Sequence, residues 1–194
     1  MELLPNGIIA VASSEGNEIR LFNINDGDTF SDANIQLTDA HGTLWDPEGN
    51  LLWTLGKTDL KAYEISLGNG GTVSVEEKIS KPLITSKGHD LAPVYDNDKN
   101  KLWVTTDSAV YVYNKDSGEF TLAEGSIQKT LVKGISNFKD GSIVMTYPDG
   151  KGSNTNRTKT VSFYLNYEEN LYSYNFVSEN NEFYKIRVYC TDYQ

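Results

Sequence analysis

The sequence predicts an all-β protein, and within that class a β-propeller with about four recognisable blades of antiparallel sheet. First, the 194-residue chain consists of short runs rich in Val, Ile, Tyr, Trp and Thr, separated by Gly, Asn and Asp turns. Second, these runs come in pairs, as the strands of hairpins do. Third, the leading runs of the four pairs align at Ile8, Leu51, Leu102 and Ile143, with spacings of 43, 51 and 41 residues. Hairpins repeated at such a period are typical of propeller blades.

The paired runs define the central strands of each blade. Two of the leading runs, LLWTL and KLWVT, are apolar at consecutive positions, which is expected for a strand covered on both of its faces. Sheets stacked around an axis provide this double cover, whereas one small sheet alone does not. In chain order the pairs are IIAVASS with NEIRLF, LLWTLG with LKAYEI, KLWVTT with AVYVYN, and SIVMTY with TVSFYL.

Each blade also needs an innermost strand ahead of its central pair. The candidates are ELLP (2–5), HGTLWD (41–46), HDLAPVY (89–95) and KGISNF (133–138). After the fourth repeat, YSYNFV and FYKIRVY are predicted to form a closing hairpin, with FYKIRVY suited to pair with the first blade. We therefore expect a single domain over 1–194, with repeats at 1–36, 37–85, 86–130 and 131–171 and a closing hairpin at 172–194. The short first inner strand leaves an incomplete propeller as a further interpretation.

Composition excludes several classes of partner. The net charge is −10 and the pI about 4.6, and no cluster of Lys and Arg exists that could neutralise phosphates, so nucleic acid is not an expected partner. No run of about 18 apolar residues predicts a membrane span. The opening MELLPNG has no signal-peptide pattern, and the lone Cys190 cannot form an internal disulfide, so the compartment stays open.

Polar residues recur at the start of the inner strands. His41 and His89 are the two histidines of the chain, and counting back from the aligned leading runs places Lys133 at the corresponding point of the fourth repeat. The starts of inner strands face one end of a propeller's channel, so we expect these three side chains to point toward a shared axis. Asp90 adds a carboxylate there, and Trp45 lies on the same strand face as His41.

Three interpretations of this group are open. The imidazoles could satisfy backbone carbonyls where inner strands crowd together. They could line an axial pocket for an anionic or sugar-like ligand, with Trp45 stacking on a sugar ring or wedging between blades. They could also hold a divalent metal, with His41 and His89 as ligands, although no cofactor is firmly predicted from this spacing.

Motifs of known catalytic chemistry do not occur in the sequence. There is no G-x-S-x-G elbow, no H-E-x-x-H and no phosphate-binding loop, so an enzymatic role is not favoured. The leading hypothesis is a binding module for a small polar or carbohydrate ligand at the axial mouth. The alternatives are a metal-assisted lyase or hydrolase acting on acidic glycans, and a protein-interaction scaffold.

Three motifs also carry a family resemblance: AHG-x-x-WD, LW-x-LG and GHDL-x-PV. Together with ELLPNG they make the chain resemble an uncharacterised bacterial β-propeller family, a domain of unknown function found in Bacteroidetes and Firmicutes. The resemblance implies a propeller fold and an exported protein. Family members are longer at the N-terminus, with a further histidine-bearing inner strand, so the chain looks truncated relative to them. The resemblance therefore leaves two interpretations, a truncated gene or a partial propeller that completes itself by self-association through its incomplete edge.

Overall fold

The computed structural model describes residues 1–25, 27, 32–150, 152–154, 156–167 and 170–190. These residues form sixteen β-strands and one short 3-10 helix, Gly125–Ile127. The strands make four antiparallel sheets of four strands each, and in every sheet neighbouring strands follow one another along the chain. The predicted all-β fold with four blades is confirmed. No helix in the described part of the chain is long and apolar enough to cross a membrane.

The described residues group into two compact units, Met1–Leu83 and the part from Ile84 onward, where the sequence predicts a single domain. The first unit holds the first and second sheets. The innermost strand of the first sheet has only two residues, as the short ELLP run implied. The strands are β1 Glu2–Leu3, β2 Ile8–Ser13, β3 Glu18–Asn23, β4 Ala33–Gln36, β5 Gly42–Asp46, β6 Leu51–Leu55, β7 Asp59–Leu67 and β8 Val73–Pro82.

The second unit holds the third and fourth sheets. Its inner strands are β9 and β13, and every residue of both is buried. The leading runs KLWVTT and SIVMTY form the second strand of each sheet, paired with the inner strand on one side. The strands are β9 Gly88–Pro93, β10 Lys101–Thr106, β11 Val110–Asn114, β12 Glu119–Leu122, β13 Gly134–Asn137, β14 Ile143–Thr146, β15 Thr160–Tyr167 and β16 Asn170–Val177.

The core of each unit is formed by buried side chains of neighbouring sheets within that unit. In the first unit, buried aliphatic residues of β2 and β3 pack with Trp45 and Leu52 of the second sheet. In the second unit, Trp103 of β10 packs with Ile135 and Met145 of the fourth sheet. Trp103 is 6% exposed, so its apolar ring is removed almost entirely from water.

The predicted closing hairpin is wrong in its pairing. Residues 172–177 belong to β16, which pairs with β15 as the outermost strand of the fourth sheet, with Phe163 opposite Tyr174. The FYKIRVY run forms no strand in the described residues, and a single bridge joins Phe183 to Thr158. The long β15 leaves an edge of unpaired backbone groups, and the next run along the chain is the nearest segment to satisfy them.

Candidate functional site

Two inner strands of the second unit bring the predicted polar residues together. His89 and Asp90 lie in β9, and Lys133 comes directly before β13. The Asp90 Oδ2 atom accepts a hydrogen bond of 2.9 Å from the Ile135 backbone N–H, which fixes β13 against β9. The Lys133 N–H donates to the Thr146 carbonyl at 2.9 Å, so this residue continues the pairing of its strand and its position is set by the sheet.

The centre of the site is the imidazole of His89. The Lys133 Nζ atom lies 2.7 Å from His89 Nε2, and the Asp107 Oδ1 atom is within hydrogen-bond contact of the same nitrogen. One ring nitrogen carries at most one proton, so it either donates to the carboxylate or accepts from the ammonium group. The group can therefore exist in two hydrogen-bonding states that differ in where one proton lies.

Asp107 is held in place by the loops around it. Its backbone N–H donates to the Lys87 carbonyl at 3.1 Å, and its own carbonyl accepts from the Leu131 N–H at 2.9 Å. The Lys87 Nζ atom lies 2.8 Å from Asp107 Oδ2. Burial by itself raises the pKa of the Asp107 carboxyl, but hydrogen bonds from Lys87 and His89 outweigh this effect and the pKa is lowered. Asp107 is therefore a carboxylate at neutral pH.

Asp90 is fully buried and already has cationic partners within its own chain. Arg187 binds it through both terminal nitrogens, at 2.6 Å to Oδ2 and 2.7 Å to Oδ1, and Lys185 Nζ lies 3.2 Å from Oδ1. Burial raises the pKa of Asp90, but the charges of Arg187 and Lys185 and their hydrogen bonds outweigh it, so the pKa is lowered. The predicted ligand-binding carboxylate is thus engaged by the residues that follow Phe183.

His41 and Trp45 lie in the first unit. The His41 Nδ1 atom is 2.9 Å from the Asp39 carbonyl oxygen and 3.3 Å from its carboxylate Oδ1 atom. Trp45 is part of the core of this unit, and it also lines an apolar groove of about 840 Å³ together with Leu3 and Ile9. The structure therefore groups His89, Asp90 and Lys133 in the second unit and places His41 and Trp45 in the first.

The site in the second unit is positively charged although the chain carries a net charge of −10. Among the described residues, four cationic side chains gather with two carboxylates, so the positively charged groups outnumber the negatively charged ones. Lys133 is 3% exposed, and a charge this deep is screened little by water. The charged members are Lys87, Lys133, Lys185 and Arg187 on one side and Asp90 and Asp107 on the other.

The donor set does not favour a metal. Among the residues that the structure describes, no group of three or more His, Cys, Asp and Glu side chains could hold an ion. A lysine ammonium 2.7 Å from His89 Nε2 also repels a cation from that nitrogen. The chemistry available around His89 is instead hydrogen bonding and attraction of negative charge.

Three residues of the site were not predicted from the sequence. Asp107 follows β10 directly, and the end of β10 pairs with the start of β9. Lys185 and Arg187 alternate within FYKIRVY, and this spacing could have indicated that both reach the same side of that run. The spacing does not show that these two side chains contact Asp90, because the run does not pair as a strand.

The solved structures similar to this chain support the fold. A dihydro-heme d1 dehydrogenase, NirN, solved in complex with DHE, matches with a TM-score of 0.52 at 11% identity, over 92% of this chain and 36% of its own. A chain of the mitotic checkpoint complex matches with a TM-score of 0.60 at 12% identity, over 94% and 55%. A functionally unknown protein from Desulfotomaculum acetoxidans matches with a TM-score of 0.57 at 15% identity, over 88% and 55%. The chain thus spans between about a third and a little over half of these proteins.

Sequence comparison identifies the family but no characterised relative. The model of a family of unknown function (DUF6528) matches residues 1–155, and the chain belongs to this family. No curated protein matches the chain. The match agrees with the resemblance to an uncharacterised family that the sequence motifs indicated.

Proposed function

We propose that this member of a family of unknown function is a binding module for a small anionic polar ligand, of the acidic-sugar type, at the site around His89. The observation that carries the proposal is the buried Lys133 side chain beside His89 Nε2, within a group of described side chains in which cations outnumber carboxylates. Lys133 is paired with His89 and Asp107, and its charge adds to those of Lys87, Lys185 and Arg187 nearby. An anionic ligand is attracted to such a group, because the attraction persists where water is excluded.

The exposed groups suit a hydroxylated ligand that bears a carboxylate. The side chain of Lys87 is 57% exposed and that of Asp107 is 25% exposed, so both are open to solvent above the more deeply buried His89. Lys87 can pair with a ligand carboxylate, while Asp107 and His89 offer acceptors and a donor for sugar hydroxyls. Lys133 acts from beneath through its charge and its bond to His89 rather than by touching the ligand.

The test is a binding titration by calorimetry with galacturonate, and with galactose as the neutral counterpart. We expect the wild-type protein to bind galacturonate and to bind galactose at least about tenfold more weakly, the equivalent of roughly 1.4 kcal/mol. Lys133→Met is expected to abolish this preference, because the side chain keeps an unbranched shape of nearly the same length and loses its charge. Lys57→Met, which removes an exposed charge in the first unit, is the matched control and should change nothing.

Two outcomes would contradict the proposal. One is equal affinity for the acidic and the neutral sugar. The other is a folded Lys133→Met variant that keeps the wild-type preference. His41→Ala and Trp45→Phe are tested in the same titration, because both remain candidate binding residues of the first unit. Metal analysis of the purified protein tests the metal-assisted lyase or hydrolase, which requires stoichiometric metal that is lost in His89→Ala.

A second candidate, a protein-interaction scaffold, is supported by the outer part of the fourth sheet. The register of β15 and β16 puts Phe163 and Leu165 on the same face as Tyr174 and Phe176. Leu165 is 46%, Tyr174 58% and Phe176 49% exposed, which is unusual for a contiguous apolar surface. Self-association through this face differs from the predicted self-association through an incomplete propeller edge, and it is the simplest form of such an interaction. Sedimentation equilibrium of the wild type and of Phe176→Ser tests it, with a concentration-dependent mass expected only for the wild type.

A further inference from the structure

Residues 184–188 lie against the two buried inner strands of the second unit. Neither they nor Phe183 before them form a strand, and one bridge joins Phe183 to Thr158. Beyond that bridge, two basic side chains bond to β9, and two backbone carbonyls accept hydrogen bonds from Thr146 of β14 and from Tyr95, which follows β9. These contacts read as those of a bound peptide on a receiving surface rather than as those of a strand within a sheet.

The basic side chains of the segment converge on Asp90. Arg187 makes two bonds to the carboxylate and a further bond of 2.8 Å to the Leu91 carbonyl. Lys185 donates to the His89 carbonyl at 2.8 Å. A planar guanidinium paired through two nitrogens with a carboxylate is specific in both charge and direction. Because Asp90 is fully buried, it needs such a cation at all times.

The backbone of the segment is recognised as well. The Thr146 hydroxyl donates to the Tyr184 carbonyl at 2.9 Å, and the Tyr95 hydroxyl donates to the Val188 carbonyl at 2.9 Å. Between these two points the segment passes directly over Gly134, where a Cβ atom would lie 2.6 Å from the Ile186 nitrogen. The surface therefore has a fitted place for the main chain and two sites for its carbonyl groups.

We propose that the surface of β9 and β13 around Asp90 is a recognition site for a basic peptide of the form Lys-x-Arg. The chain's own residues 184–188 occupy this site, and the same sequence supplied by another molecule can replace them. Recognition rests on the Asp90 carboxylate, the carbonyls of His89 and Leu91, and the hydroxyls of Thr146 and Tyr95. This proposal does not depend on the anionic ligand proposed above.

Exchange is feasible because of how the segment is attached. It follows β16 after a short connection, so its local concentration at the site is on the order of 1 mM, as for a short flexible linker. It has no ladder of hydrogen bonds to break, and the Arg187 side chain is 40% exposed. A free peptide that binds with a Kd near 0.1 mM would then lose about tenfold in affinity through competition with the attached segment.

The experiment uses the full chain and a fluorescein-labelled peptide of sequence EFYKIRVY, with binding followed by anisotropy. We expect Arg187→Ala to raise the affinity for the peptide about tenfold over wild type, because the attached competitor is weakened. A peptide with Ala in place of its Arg should not bind either protein. Adding Asp90→Asn to Arg187→Ala should abolish binding of the intact peptide. Arg20→Ala, a surface change in the first unit, is the matched control and should behave as wild type.

The proposal is overturned if Arg187→Ala, folded by circular dichroism, binds the peptide no better than wild type, or if the Ala-substituted peptide binds equally well. If Arg187→Ala does not fold, Arg187→Lys decides the question. This variant keeps a cation over Asp90 but loses the paired bonds of the guanidinium, so a several-fold gain in peptide affinity is expected. An unchanged affinity in Arg187→Lys would then refute the proposal.

Discussion

Replacing Asn137 with alanine should uncouple the third and fourth sheets. Asn137 ends β13 and is 4% exposed. Its Oδ1 atom accepts hydrogen bonds from Trp103 Nε1 at 2.9 Å and from the Tyr95 N–H at 3.1 Å. Its Nδ2 group donates to the carbonyls of Tyr95 and Phe138, each at 3.0 Å. Three of the four hydrogen bonds of this amide therefore join the end of β13 to the neighbouring sheet, and the fourth goes to the adjacent Phe138.

The magnitude follows from what the alanine variant leaves behind. Two donors, the Trp103 indole N–H and the Tyr95 backbone N–H, lose their acceptor, and an unsatisfied buried polar group costs about 1 to 3 kcal/mol. We therefore expect Asn137→Ala to lower the free energy of unfolding by about 2 to 5 kcal/mol. Trp103→Phe removes only one donor and a small part of the ring. The two changes share a partner, so their effects should fall short of additivity by about 1 to 2 kcal/mol.

The assay is urea denaturation of the wild type, both single variants and the double variant, followed by circular dichroism. The four proteins can be compared only if the free energy of unfolding has the same slope against urea concentration in each. A changed slope in one variant would mean that its unfolding is no longer a single transition. If Asn137→Ala lowers the free energy of unfolding by less than about 1 kcal/mol, the hydrogen bonds assigned to Asn137 are refuted, because this is below the cost of one buried donor without an acceptor. Strict additivity of the two variants would refute the hydrogen bond between the two side chains.

Three further predictions concern the same unit. The pKa of Asp90 is lower in the folded protein than its ordinary value of about 3.9. The stability that ionised Asp90 contributes is therefore present above that value and is lost as the pH falls through the folded pKa. Asp90→Asn should flatten the decline in the free energy of unfolding below pH 4. Gly134→Ala should clash with the Ile186 backbone and lower the free energy of unfolding by about 1 to 3 kcal/mol. It should also speed proteolysis after β16, and unchanged proteolysis would contradict the close approach of the two segments. Asp149→Ala removes the acceptor of two threonine hydroxyls at the entry to β15 and should cost about 1 to 2 kcal/mol in thermal denaturation, with Asp140→Ala as a comparison.

The strands were predictable from the sequence because their signals are local. Runs such as KLWVTT are apolar, β-branched and bounded by turn residues, and the hairpin partner is the next run along the chain. The pairing of FYKIRVY was not predictable in this way. Its composition suits a strand, but its predicted partner YSYNFV pairs with β15, and the run itself bonds to β9 through Lys185 and Arg187. Only the arrangement of the sheets shows these contacts.

The site was predictable only where the repeat determines position. Counting from the aligned strands placed His89 and Lys133 at equivalent points, and the structure puts their side chains 2.7 Å apart. Asp107 joins them through the path of the turn after β10, and Arg187 through the path of the last segment. Neither path follows the repeat, so neither contact could be inferred from the spacing of residues. The role of Asp90 changes for the same reason, because its partner is 97 residues away along the chain.

The strand order within the sheets bears on how the protein is made. Each ladder between described strands joins strands adjacent in the chain, so forming a sheet does not require distant segments to meet. Such local pairing favours fast folding despite the all-β composition. A sheet can therefore be completed as soon as its fourth strand has left the ribosome, without waiting for later residues. The contacts of Lys185 and Arg187 with β9 differ, because they form only after residues 185 and 187 have left the ribosome. Until then Asp90 lacks these two cations, and its burial must wait for a segment that no sheet contains.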